Sequence, residues 1–378
     1  MRILFTFVGG RGHAEPLAPI ARAAVAAGHE IAMASAAEAV PAIRAAGITA
    51  FATREPLPNR PEPTQDEPLA PLEPVDPEQN LEQLREGFGL KRAREHASAV
   101  QEIAREWKPE VIVRDEMDFG SAIAAEALGL PIAAVLVLAA GTFLRKDVIA
   151  EPLREIRAEH GLPEDRDLAM LERDLILSPF PPGFRSPAAP LPRTAFCYRG
   201  FDPAPPPAPA PTPTVYFTLG TVYTHVELMT RVVAGLAEVE AEVVVTVGQR
   251  VDPARLGPLP QHIRVEQFIP QAALLPRCHL VISHAGSGSV MGALAHGLPS
   301  ILLPMGADQP DNARRCAELG VGRVLDPVTV TPAQIRDTVA DVLADPEYRR
   351  AADRLRAEIS TLPGPEHAVP LLESLVAR

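Results

Sequence analysis

The 378-residue chain is long enough for two domains, each able to bury its own core. Its 47% hydrophobic content excludes wholesale disorder. A formal net charge of −12 excludes the basic face that a nucleic-acid protein would present.

The chain opens with RILFTFVGG, which reads as a strand and lacks the basic head, apolar middle and small-residue cleavage site of a secretory signal. Further strands are expected at HEIAMAS, ITAFAT, PEVIVRD and PIAAVLV, with helices around 16–27, 36–46, 81–107 and 119–129. The longest apolar run, LPIAAVLVLAAG at 130–141, is far short of the ~20 residues of a membrane span and is read as a buried strand. Residues 55–79 are proline-rich and fit neither strand nor helix; they read as a lid or a loop after the third strand. The DRD run at 165–167 has the letters of a metal-binding DxD, but its charged surroundings read as a solvated face.

At 201–214, FDPAPPPAPAPTPT favours polyproline II and marks a domain boundary. The alternation then resumes, with strands at TVYFTLG, EVVVTVG, HIRVEQF, HLVISHA and PSILLPM and helices around 226–239, 287–296, 308–319 and 332–344. Two helical segments, 346–361 and 366–378, close the chain. Strand and helix alternating throughout predict an α/β protein with two facing Rossmann-like parallel-sheet domains and a cleft between them. The boundaries are placed at 1–202, a linker at 203–213, a second domain at 214–362, and a last helix at 363–378 that packs back on the first domain. Cys197, Cys278 and Cys316 are too few and too scattered for a disulfide framework or a CxxC site, and fit a reducing cytoplasm.

HLVISHAGSGS, 279–289, reads strand, tight turn, helix. Its histidine and glycines therefore fall at the carboxyl end of a parallel strand, where open α/β sheets bind ligands. The unpaired N–H groups of the following helix suit a phosphate or diphosphate. Gly286 and Gly288 permit close approach, Ser287 and Ser289 can cap the helix or donate to oxygen, and His284 is a donor able to be neutral or cationic near neutral pH. The bland alternative is a tight connection with a loop-bonded histidine. GGRGHAE at 9–15 has Glu15 where GxGxxG needs its last glycine, which argues against NAD. Neither GxxxxGK[ST] nor GxSxG occurs.

The stretch from FIPQAALLPRCHLVISHAGSGSV to GADQPDNARRCAELGVG, 268–322, resembles the donor-binding region of the inverting NDP-sugar glycosyltransferases of GT-B fold, in particular the bacterial branch that decorates antibiotics. GGRGHAEPLAPIARAAVAAGHE resembles that family's first βα unit. The resemblance implies His13 as catalytic base and Asp115 as the acid that orients it. It also implies Phe268 as the stacking partner of the nucleobase, with Ile269 offering backbone groups and Gln271 nearby. Gly220 and Thr221 would line the phosphates, as would His284, Gly286, Ser287, Gly288 and Ser289; Asp308 and Gln309 would bind sugar hydroxyls. Gly292 stands where plant UDP-sugar enzymes carry a ribose-binding glutamate, which makes a dTDP-sugar as admissible as a UDP-sugar. The implied co-substrates are that donor and a small natural-product acceptor, with no cofactor, metal, nucleic acid or membrane span; a homodimer is compatible with the sequence.

Read from the residues alone, His13 could be a helix cap, and Asp115 could cap the helix near Gly120, a task open to Asp118 as well. Glu15 and Glu116 compete with Asp115 for the histidine. Two rival functions remain: a sugar-nucleotide epimerase, which uses the same diphosphate grip, and a non-catalytic helper that keeps the fold and binds a partner transferase.

Overall fold

The computed structural model describes the chain except residues 57–71, 174, 206, 209, 211, 221–224, 249–250 and 378. Most of the proline-rich 55–79 segment lies outside the described residues. The amino-terminal domain holds seven parallel strands: β1 (Arg2–Thr6), β2 (Glu30–Ser35), β3 (Thr49–Ala52), β4 (Val111–Asp115), β5 (Ile132–Val135), β6 (Leu175–Ser178) and β7 (Ala195–Cys197). They lie in the order β3-β2-β1-β4-β5-β6-β7. The carboxy-terminal domain holds six: β8 (Thr214–Thr218), β9 (Glu242–Thr246), β10 (Ile263–Glu266), β11 (Leu280–Ser283), β12 (Ser300–Leu302) and β13 (Gly322–Val324). Their order is β10-β9-β8-β11-β12-β13, again all parallel.

Each sheet is wound outward in both directions from its first strand, so strand order reverses between β1 and β4 and again between β8 and β11. Chains leaving such a pair turn to opposite faces and open a crevice at the carboxyl ends, the place where doubly wound sheets bind ligands. The continuous apolar runs follow from burial on both faces: all five residues of β4 and all four of β11 are buried.

Three strands and one long helix escaped the sequence reading. The strands β6, β7 and β13 are four, three and three residues long, and unlike the similarly short β12 within PSILLPM they contain or lie close to charged residues that break the apolar run. The helix Lys146–Glu159 contains Pro152, which removes an internal hydrogen bond, yet Ile149, Leu153 and Ile156 on its inner face are fully buried. The helix expected at 81–107 starts earlier, at Pro77, and is interrupted: Gln83–Arg92 is wound in the wider π form between Pro77–Glu82 and Ala93–Trp107. In the DRD run, Asp165 caps a turn by accepting from the backbone N–H groups of Ala169 and Met170 at 2.8 and 2.9 Å.

The chain passes between domains twice, and the two crossings are tied together: Arg199 N–H donates to the Pro363 carbonyl at 2.7 Å. The proline-rich connection is pinned to the carboxy-terminal domain, with the Pro207 carbonyl accepting from Arg349 and the Ala208 carbonyl 3.1 Å from His279 Nε2. Ala139, Phe180 and Phe184 of one domain share a buried apolar cluster with Met291, Leu294 and Ile359 of the other. In the last helix, Val369–Val376, Leu372 packs with Ile3, Phe5 and Ile20, and Glu373 pairs with His29 at 3.0 Å.

Candidate active site

The two strand-order reversals each carry a histidine. After β1 the backbone turns at Gly9 and Gly10 into a short helix, Arg11–Ala14, that holds His13. Gly9 is there because of the imidazole: a Cβ on it would lie 2.0 Å from His13 Cδ2. His13 Nδ1 is 3.3 Å from Asp115 Oδ1, an ion-pair distance at an angle short of a formed hydrogen bond. Asp115 is fully buried at the end of β4, and its two oxygens also accept from Met117 N–H at 2.6 Å and Val8 N–H at 2.8 Å. Those donors fix the carboxylate before it meets the ring. Burial by itself depresses the His13 pKa, but the charge of Asp115 and its close approach to the ring outweigh it, with a smaller contribution from Asp308; the net result lies above 6.5.

The rival assignments fall away one by one. Asp118, not Asp115, caps the helix Phe119–Leu128, accepting from Ser121 N–H at 3.0 Å. Glu15 is exposed and paired with Arg11. Glu116 turns the other way, accepting from the N–H groups of Val137 and Leu138 at 3.0 Å and facing Arg185 at 3.7 Å.

On the facing domain, His284 follows β11. Its ring lies against two glycines: a Cβ on Gly286 would sit 2.5 Å from Nε2, and one on Gly220, at φ +76°, 2.6 Å from Cε1. Ala285 between them is held at φ +65°, a conformation that strains any residue with a Cβ. Burial drives His284 down to about 4. Of the two charge states open to this ring near neutral pH, desolvation favours the neutral one. The helix Ser287–Ala295 begins at Gly286 with no side-chain cap, so the N–H groups of Ser287, Gly288 and Ser289 have no acceptor within the helix. A Cβ at Gly288 would point into open space.

Of the two uses open to Ser287, capping the helix or donating to oxygen, its hydroxyl takes the second. It donates to Asp308 Oδ2 at 2.7 Å and accepts from Ala139 N–H of the opposite domain at 2.9 Å. Asn312 completes the junction: its amide nitrogen donates to Asp308 Oδ2 at 2.7 Å and to the Ala285 carbonyl at 3.0 Å, and its oxygen accepts from Ala140 N–H at 3.1 Å. Burial raises the pKa of Asp308, against the opposing hydrogen bonds of Ser287 and Asn312.

Two family models match the chain, both described as erythromycin biosynthesis protein CIII-like: the amino-terminal domain over residues 22–189 and the carboxy-terminal domain over 230–375. The chain belongs to the EryCIII-like glycosyltransferases. It is 31% identical to tylactone mycaminosyltransferase of Streptomyces fradiae over all of this chain and 93% of that protein. It is 30% identical to 10-deoxymethynolide desosaminyltransferase of Streptomyces venezuelae, over all of this chain and 98% of the relative. Among solved structures, the spinosyn rhamnosyltransferase SpnG complexed with thymidine diphosphate superposes with a TM-score of 0.79 at 27% identity, covering 99% of this chain and 100% of that one. This glycosyltransferase therefore has the GT-B fold, two Rossmann-like domains facing each other.

The remaining residues named from the sequence divide between the cleft and its supports. Phe268 is 45% exposed, a large figure for an aromatic ring, and Arg11 of the opposite domain lies over its face at 5.4 Å. Ile269 packs against the cluster of Leu274 and Leu275. Gln271 Oε1 lies 3.2 Å from where a Cβ on Gly292 would be, so a larger side chain at 292 would displace it. Gln309 is buried and accepts from Met305 N–H at 2.8 Å, which shapes the loop carrying Asp308. Thr221 lies outside the described residues.

Sequence reasoning missed Phe88, Arg92 and Asn312. Phe88 stacks on His13 with ring centroids 5.8 Å apart and planes 21° from parallel, and Arg92 lies 4.3 Å over the Phe88 ring. Both sit in the π-wound stretch, where an ideal helical period misplaces side chains. Asn312 does stand in the quoted GADQPDNA, but only the folded chain brings it against the opposite domain.

Proposed function

We propose that this enzyme is an inverting glycosyltransferase that moves a sugar from a dTDP- or UDP-sugar to the hydroxyl of a small natural-product acceptor, with His13 as general base and without a metal ion. The reading rests on one observation: the short helix that carries His13 reaches the opposite domain, where its Arg11 lies over the Phe268 ring at 5.4 Å, so base and donor site share a cleft. The acceptor oxygen bonds to C1 of the sugar as the bond from C1 to the diphosphate oxygen breaks, and the configuration inverts. His13 Nε2 takes the acceptor proton, and Asp115 holds the imidazolium that results. The departing electron pair stays with the diphosphate, stabilised by the N–H groups at the start of the Ser287–Ala295 helix and by His284. Asp308 and Gln309 orient the sugar, and Phe268 stacks on the base.

Support for the donor class comes from SpnG and from VinC, each solved with thymidine diphosphate. The test is a thermal-shift comparison of dTDP, UDP and GDP, followed by mass spectrometry of an acceptor panel with the corresponding sugar. Conversion of one sugar nucleotide into another with no acceptor present would favour an epimerase instead. Absence of nucleotide binding would favour a helper protein.

A further inference from the structure

Arg92 ends the π-wound stretch beside His13, at the carboxyl end of the amino-terminal sheet. Its guanidinium is partly buried, lies flat over Phe88, and makes no hydrogen bond or ion pair with any described residue. The charges around it are unbalanced. Arg54 repels it, and that arginine's own charge is already matched by a two-pronged contact with Glu38 at 3.2 and 2.9 Å. Asp115 and Glu95 attract it from a distance, but Asp115 is committed to His13, Val8 and Met117. Phe88, under the guanidinium, belongs to a buried apolar cluster with Val8, Leu84 and Met117. A desolvated guanidinium left without a counter-charge is costly, and its planar fork matches a carboxylate in two-pronged fashion.

We propose that Arg92 binds the acceptor, and that the acceptor carries a carboxylate in addition to the hydroxyl that is glycosylated. The inference rests on the reading of this cleft as an acceptor site and adds a substrate class to it. Phe88, stacked on the His13 ring and lying under the guanidinium, sets Arg92 beside the base, where it holds the carboxylate while the hydroxyl meets His13. Before the acceptor binds, the same positive charge opposes protonation of His13.

The test uses a matched pair, 6-hydroxy-2-naphthoic acid and its methyl ester, titrated calorimetrically into the full-length enzyme without donor. The acid is expected to bind about 10- to 100-fold more tightly than the ester, the range of one charge-assisted contact. R92Q removes the difference, R92K keeps part of it, and dTDP affinity stays as in the parent. Equal binding of acid and ester by the parent enzyme, or equal weakening of both in R92Q, would overturn the proposal. A second arm adds dTDP-glucose and reads product mass. The acid preference present in binding with no sugar transferred to either compound would count against the glycosyltransfer reading while leaving the Arg92 site standing.

Discussion

His13 and His284 occupy matching positions in two sheets of the same winding, each just past a strand at the point where strand order reverses, yet their chemistry is opposite. At His13 a buried carboxylate outweighs burial and the ring holds its proton more tightly than a free imidazole. At His284 burial prevails, the ring is wedged between Gly220 and Gly286, and it stays neutral down to about pH 4. In the proposed mechanism the first ring gains a proton, while the second keeps one charge state and lends only its dipole and its N–H. Fold symmetry thus supplies two equivalent positions, and the neighbours set the charge state of each.

The comparison breaks most directly at His13. H13A is expected to lower kcat by ~10² to 10⁴ with an aliphatic alcohol acceptor, leaving dTDP affinity unchanged by calorimetry. A phenol acceptor, partly ionised by itself, should lose much less, so the ratio between the two acceptors isolates proton abstraction. Full turnover of the alcohol by H13A would remove the base assignment.

At the opposite site, H284A is expected to cost about 10² to 10³ in kcat and to weaken dTDP binding as well, because it removes a donor facing the diphosphate. Donor affinity in the parent enzyme should also be flat between pH 5.5 and 8 as far as this ring is concerned, since it does not titrate there. An inflection near pH 6.5 that disappears in H284A would contradict the neutral assignment.

Gly9 tests whether His13 must stand where it does. A methyl group at this position meets the imidazole at 2.0 Å, far inside contact distance, so G9A has to push the ring away from Asp115. The expected loss is about 10²-fold in kcat with little change in melting temperature, the cost of misplacing a reacting group by roughly 1 Å. Unchanged kcat would mean that the ring tolerates displacement and that its geometry is not what matters.

How much of this was legible in the sequence depended on length and periodicity. Ten strands carried enough apolar run to be read, which is why His13 and His284 were placed at strand ends correctly; the strand order, with its two reversals, came only from the structure. The short strands β6, β7 and β13 contain or lie close to charged residues that break up the apolar run. What the sequence left open was pairwise choice: Asp115 against Asp118, Glu15 or Glu116. Only the register of β1 against β4 decided it, because that register sets Asp115 just beyond the Thr6–Arg114 pair, beside the chain that leads to His13. Charge state was equally hidden, since the His284 environment is made by Gly220, 64 positions earlier in the chain. The tie across the cleft through Ser287, Asn312 and the backbone of Ala139 and Ala140 joins residues on separate domains, which no local pattern reveals.

The finest distinction is between removing the carboxylate and removing the base. D115N keeps the shape of the side chain and an acceptor oxygen for Val8 or Met117 but deletes the charge. For a base that must be neutral to act, the acid limb of kcat/KM against pH follows the pKa of His13 in the free enzyme. In the parent that limb lies above 6.5, because Asp115 outweighs burial. In D115N only burial and the Arg92 charge remain to oppose protonation, with Asp308 as a weaker attraction, so the limb should move to lower pH, below 6.5. Stability should follow with the matching sign: a histidine whose folded pKa is raised adds stability that is full below pH 6.5 and is lost as pH rises through the folded value. The parent should therefore lose part of its melting-temperature advantage over D115N on going from pH 6 to pH 9. A limb that stays in place in D115N would show that another group, not the His13–Asp115 pair, sets the pH dependence.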